Sequence, residues 1–251
     1  MDGRTHDGLG GGPRLMTVLA FAIIAAVVLV SAFVQGSTGM GFAMILAPVV
    51  TFIDPSLIPV MLLVLMIPLN FYVAAREREH IDWTGVSWIS IGRFAGTFAG
   101  LWILVIVNLH QLSLLIGWST LIAAIIALLA PKFTPNRPVL ATVGLITGVT
   151  ETSTGIGGPP YALAYQHSPG PELRSTVAVC FLVGEVISLI VLAFSGQITA
   201  ETMIATAWML PFLAIGSFLS RYVHHRLDGP LLRYIVLGFA IVSGAVVIVQ
   251  A

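Results

Sequence analysis

Runs of about 20 apolar residues recur from residue 15 to residue 251, separated by short polar breaks. As an α-helix rising 1.5 Å per residue, such a run crosses roughly 30 Å of hydrocarbon. Lipid offers no hydrogen bonds, so a backbone there must satisfy its own polar groups, and the helix does so. Six segments fit this length: 57–75, 86–107, 112–130, 175–194, 202–219 and 231–250. The breaks between them, at 76–82, 108–111, 131–138, 195–197 and 221–230, leave no room for a soluble domain. Composition agrees. The chain is 57% apolar and 9% charged, against about 45–50% and 25% in a soluble domain. Its 11 basic and 11 acidic residues cancel, so no charge excess points to nucleic acid. A soluble enzyme, a disordered chain and a nucleic-acid module are excluded. The expected fold class is an all-α polytopic membrane protein.

Two regions are less regular. One is apolar from 15 to 35, reads GSTGMGF over 36–42, and is apolar again to 53. The other is apolar from 139 to 150, reads ETSTGIGGPP over 151–160, and continues briefly to 166. A shift of 116 residues lays Ser37-Thr38-Gly39-Met40-Gly41 on Ser153-Thr154-Gly155-Ile156-Gly157, and Pro55 on Pro171. One added residue lays Ile81 on Ile198. We read an internal duplication, 15–130 and 139–251, joined by a loop at 131–138. Each half holds a broken, re-entrant helix hairpin followed by three spanning helices. Whether or not both hairpin arms cross, each half crosses an odd number of times, so the second repeat is expected to be inverted. Inverted-topology repeats mark secondary transporters with substrate at the midplane. Residues 1–14 read as a disordered tail retained in the mature chain, not as a signal peptide. The breaks at 76–82, 131–138, 167–171 and 221–230 fall on one face and carry Arg76, Arg78, Lys132, Arg137, Arg221 and Arg226. The other face has only Arg4 and Arg14. The positive-inside rule makes the first face cytoplasmic and puts both termini outside a cell inner membrane.

The paired STG breaks carry the chemistry. Glycines unwind a helix, and unwound backbone at membrane depth is tolerated only against protein or a wet cavity. Half-helices starting near Phe42 and Pro159 would aim free N–H groups and positive dipole ends at one cavity. Ser37, Thr38, Ser153 and Thr154 would add hydroxyl donors. The substrate-binding candidates are therefore Gln35, Ser37, Thr38, Gly39 and Gly41 in the first half. In the second they are Ser153, Thr154, Gly155, Gly157, Gly158 and Tyr161. The bland reading is that small residues only let helices pack. Tyr161 and Tyr165 either reach the cavity or pack.

Embedded polar residues are costly in lipid and form a second set: Glu151, Glu185, Arg93 and Asn70, as proton-coupling or gating candidates. Glu151 is the repeat mate of Gln35. An ionised Glu151 would repel a nearby anion by several kcal/mol even at a dielectric near 20. It is therefore neutral when the anion binds, or turned away, or the substrate is not an anion. Arg93 is a candidate partner for Glu185; otherwise it is expected to snorkel to the cytoplasmic interface, ahead of binding substrate directly. Gly92, Gly96 and Gly100, spaced by four, read as a close-packing stripe. His167, His224 and His225 read as loop residues. Cys180 reads as a packing residue. No zinc spacing, Walker-type loop or nucleophile–base pair occurs, so no cofactor and no enzyme activity is expected.

The stretches GSTGMGFAMILAPVV (36–50) and TGIGGPPYALAY (154–165), with Arg174-Ser175-Thr176 after a Gly-Pro loop, resemble the TauE/SafE (TSUP) sulfite and organosulfonate exporters. The resemblance runs from about residue 15 to the end. Phe42-Ala43 and Pro159-Pro160 stand where that family often has glycines. It implies a secondary transporter of small sulfur-containing anions such as sulfite or organosulfonates, moved outward by alternating access. Its partners would be the anion and the bilayer, with protons as a coupling option. The competing expectation is a cation-, metal-ion- or proton-linked permease using Glu151 and Glu185 as ligands.

Overall fold

The computed structural model describes residues 18–129, 135–223 and 230–251. The expected tail at 1–14, part of the 131–138 loop, and His224 and His225 lie outside the described residues. Among those described, the chain forms ten α-helices and no strand. They are α1 (Val18–Thr38), α2 (Phe42–Ile53), α3 (Val60–Arg76), α4 (Trp83–Ile106), α5 (Leu109–Leu129), α6 (Arg137–Thr154), α7 (Gly158–Ala164), α8 (Gly170–Phe194), α9 (Ala200–Val223) and α10 (Pro230–Gln250). Each of the six expected spans falls on a helix: α3, α4, α5, α8, α9 and α10. Five helices are long and apolar enough to cross a membrane: α1, α4, α5, α8 and α9 up to Tyr222.

Capping side chains decide where several helices begin. The Asp82 carboxylate accepts from the Gly85 amide at 3.0 Å, starting α4. The Asn136 side chain does the same for Val139 at 3.1 Å, ahead of Pro138 in the first turn of α6. Each supplies an acceptor to an amide that has no partner within its helix.

Helix α3 sits at the centre, with Val60–Leu65 and Leu69–Asn70 mostly buried. It packs on α8 and α9. Helix α4 packs on α6 and α8, α1 on α9 and α2, α5 on α10 and α7, and α2 on α10. Phe94, Phe98 and Trp102 on α4, and Trp208 on α9, point outward. The protein covers none of them, and lipid suits them.

The α4–α6 pair is held by backbone contact. A Cβ on Gly92 would overlap the Ala141 carbonyl oxygen, and one on Gly96 that of Leu145. On the facing helix, a Cβ on Gly144 would overlap the Ile89 carbonyl oxygen, and one on Gly148 would lie 2.6 Å from that of Arg93. The stripe on α4 therefore meets a second stripe on α6. With no hydrophobic drive between helices in lipid, such close approach supplies the attraction.

Candidate functional site

Both STG stretches end a helix. Helix α1 stops at Thr38 and α2 starts at Phe42; α6 stops at Thr154 and α7 starts at Gly158. The glycine of each motif is left-handed, Gly39 at φ 86° and Gly155 at φ 77°, a conformation only glycine adopts at little cost. Each closes the helix in the same way: Gly39 donates to the Gln35 carbonyl at 2.7 Å, and Gly155 to that of Glu151 at 2.8 Å. The threonines match too. Thr38 Oγ1 lies 3.0 Å from the Val34 carbonyl and 2.7 Å from that of Met40, and accepts from the Met40 amide at 3.3 Å. Thr154 donates to the Thr150 carbonyl at 2.7 Å and accepts from the Ile156 amide at 3.4 Å. Ser37 and Ser153 donate back to Phe33 and Val149 at 2.8 and 2.7 Å. The four hydroxyls are thus engaged with their own helices, where the sequence suggested donors free to face a ligand.

The two breaks lie near each other. The direction a Cβ would take from Gly158, at the start of α7, comes 3.9 Å from Met40 Cβ. Gly41 is also left-handed, at φ 110°, whereas Gly157 is not.

The carboxyl-derived residues split between two buried networks. In the first, the Phe42 amide donates to Gln35 Oε1 at 3.0 Å, so the first amide of α2 is capped by a side chain rather than bare. Gln35 Nε2 donates to Asn70 Oδ1 at 3.0 Å, and Asn70 Nδ2 to Glu185 Oε1 at 2.7 Å. This chain joins α1, α2, α3 and α8. Asn70 and Glu185 are 115 residues apart, one short of the repeat shift.

In the second, Arg93 Nη1 donates to Glu151 Oε2 at 2.6 Å and lies 3.0 Å from the Tyr161 hydroxyl. Arg93, Glu151 and Tyr161 are all 0% exposed. The expectation that Arg93 snorkels is overturned. It sits ten residues into α4, about 15 Å from the helix start, too deep to reach the interface. It pairs with Glu151 of α6, while Glu185 of α8, which also packs on α4, is taken by Asn70. The guanidinium covers Gly184 of α8, where a Cβ would overlap it. Gly157 lies against Glu151 in the same way. A salt bridge therefore sits directly beneath the second break. Tyr161 also stacks edge-on against Phe181, with ring centroids 5.0 Å apart.

Several polar contacts were not singled out from the sequence. Thr152 and Ser188 share a hydrogen bond at 2.8 Å between α6 and α8. Among the described residues, the buried hydroxyl of Thr147, one turn before Glu151, has no hydrogen-bond partner, and neither do Glu151 Oε1 and Glu185 Oε2. Thr147 and Glu151 share a face at spacing four, a signal the sequence did carry. The Tyr165 hydroxyl donates to Asp82 at 3.0 Å. His167 is exposed and Cys180 is buried, as expected.

An all-helical bundle with five helices long and apolar enough to cross a membrane, and two helix breaks near each other, defines a multi-pass membrane protein. A family model described as Sulfite exporter TauE/SafE matches residues 23–247. The chain belongs to that family of membrane transporters. No curated protein and no solved structure matches it.

Proposed function

We propose that the chain is a secondary transporter exporting small sulfur-containing oxyanions, sulfite or organosulfonates, by alternating access about the two STG breaks. The observation that carries this reading is the matched pair of threonine-pinned, left-handed breaks, brought near each other at Met40 and Gly158. Unwound backbone inside a bundle is where transporters of this general kind hold substrate. Gln35, Ser37, Thr38, Gly39 and Gly41, with Ser153, Thr154, Gly155, Gly157, Gly158 and Tyr161, are proposed to line the path. The hydroxyls turned into their helices hold the unwound amides in place.

Two inverted repeats are part of the proposal. The helix pairings support it, because exchanging the halves converts them into one another. The α4–α6 contact becomes α9–α1, α4–α8 becomes α9–α3, and α2–α10 becomes α7–α5, while α3–α8 and α5–α10 map onto themselves. The basic face is proposed as cytoplasmic. Outward movement of one negative charge across 100 mV, inside negative, releases roughly 2.3 kcal/mol and needs no coupling. The Arg93–Glu151 pair removes the objection that a lone Glu151 would repel the anion, and it stands against Glu151 as a cation ligand.

Two outcomes test this. Thr38→Val with Thr154→Val keeps side-chain volume but removes both pins. Sulfite efflux from proteoliposomes is expected to fall at least tenfold, with the melting temperature little changed. Unaltered efflux would reject the breaks as the pathway. The second test concerns Glu185, proposed as the proton-coupling or gating group, with Asn70 connecting it to the first break. Methanesulfonate keeps one charge across the physiological range, so a pH dependence of its flux belongs to the protein. Glu185→Gln keeps an acceptor for Asn70 and is expected to flatten that dependence. A pH profile identical to wild type would remove Glu185 from the mechanism.

A further inference from the structure

A cavity of about 340 Å³ opens on the basic face, lined by the end of α3, residues 77–80 and the start of α8. That is at the lower end of the about 300–1,000 Å³ typical of small-ligand sites. Two arginines, Arg76 and Arg174, line it, one from each half of the chain. Glu77 stands between them. Arg174 Nε donates to both Glu77 oxygens, at 3.1 and 3.0 Å, and Arg76 Nη2 reaches Oε1 at 3.2 Å. The same Arg76 nitrogen donates to the Gly36 carbonyl at 3.0 Å. A Cβ on Gly39 would lie 2.7 Å from Arg174 Cγ. The arginines therefore rest on the first STG break at both ends. Arg76 Nε and Nη1 are shielded from solvent without a hydrogen-bond partner among the described residues. Arg78 brings a third positive charge against Glu77 and Glu79.

We infer that this cavity is an oxyanion-docking vestibule leading to the first break, and that Glu77 is a built-in anion that an arriving sulfonate or sulfite displaces from Arg174 and Arg76. The inference rests on the anion-transport reading above. A guanidinium fork fits carboxylate and other planar-edged oxyanions through the same paired N–H groups, so the two compete for one position. While Glu77 holds the arginines, the vestibule is nearly balanced in charge. Once Glu77 is displaced, both guanidinium groups face the incoming anion, beside the end of α1 and the unwound stretch at 39–41. Glu77 thus sets a threshold: weakly coordinating anions fail to displace a tethered carboxylate, whereas those that bind guanidinium at least as well pass on.

The test uses full-length chain and radiolabelled methanesulfonate. Flux is measured from liposomes with the basic face inward, and binding to the purified protein by equilibrium dialysis. Arg174→Gln is expected to raise the KM on the basic face about tenfold, with a much smaller change in kcat. Glu77→Gln, which keeps hydrogen-bonding atoms and does not depend on the fold surviving loss of an arginine, is expected to lower that KM about threefold. Chloride, a weaker guanidinium ligand, should inhibit Glu77→Gln more than wild type. An unchanged basic-face KM in both variants overturns the vestibule while leaving transport intact. Binding that weakens in Arg174→Gln and tightens in Glu77→Gln, in a protein showing no flux, keeps the vestibule and overturns transport instead. Absence of both binding and flux overturns the two together.

Discussion

Arg93→Met is expected to leave the protein barely folded in detergent, while Arg93→Met combined with Glu151→Met recovers most of the lost melting temperature. The single change strands Glu151, which is fully buried and, among the described residues, takes its side-chain hydrogen bond from Arg93, at 2.6 Å. Breaking one side of a buried pair costs about 3–5 kcal/mol, because the remaining charge has neither water nor partner. That is a large part of the 5–15 kcal/mol by which folded proteins are stable. Removing both charges and filling the space with side chains of similar length is often neutral. Tyr161→Phe, which loses one hydrogen bond, should cost about 1 kcal/mol. Thermal unfolding followed by tryptophan fluorescence distinguishes these cases. A single variant as stable as the wild type would mean that the pair is not formed.

Gly144→Leu should abolish the folded bundle altogether. A Cβ there overlaps the Ile89 carbonyl oxygen and lies 3.0 Å from the Arg93 amide nitrogen, both rigid backbone atoms. Relief requires α4 and α6 to separate along a seam built from Gly92, Gly96, Gly144 and Gly148, which also positions the Arg93–Glu151 pair. The fluorescence size-exclusion profile should lose its monodisperse peak. Gly238→Leu is the control: nothing lies within 4 Å of its Cβ direction, and that peak should persist. If both variants elute like the wild type, the seam is not the close contact described.

The sequence was most informative where a single residue type has one structural use. Hydropathy located six helices, and the repeated STG located both breaks to within a residue or two, because glycine alone takes φ near 80° without strain. Helix starts were less legible. Apolar counting places the second span at 86, but Asp82 caps the helix and starts it at Trp83. Likewise Pro169 and Gly170 open α8 five residues before its apolar run, carrying Arg174 into a buried position. Partner choice was not legible at all. Arg93 could not be assigned to Glu151, 58 residues away, without knowing that α4 lies against α6. The four-residue spacing of Gly144 and Gly148 held part of that answer, since it mirrors the stripe on α4. Gln35 illustrates a related gap: its spacing marks it as the mate of Glu151, yet it caps an amide and leads to Asn70, while Glu151 meets an arginine.

The α4–α6 seam has a consequence for biosynthesis. Helix α4 is made by residue 106 and its glycine-lined partner is complete only at residue 154. Helix α1 waits longer still, for α9. A nascent chain therefore enters the bilayer with its most intimate docking strips unmatched. Truncation anywhere before the second glycine stripe should therefore yield a degraded fragment rather than half a transporter.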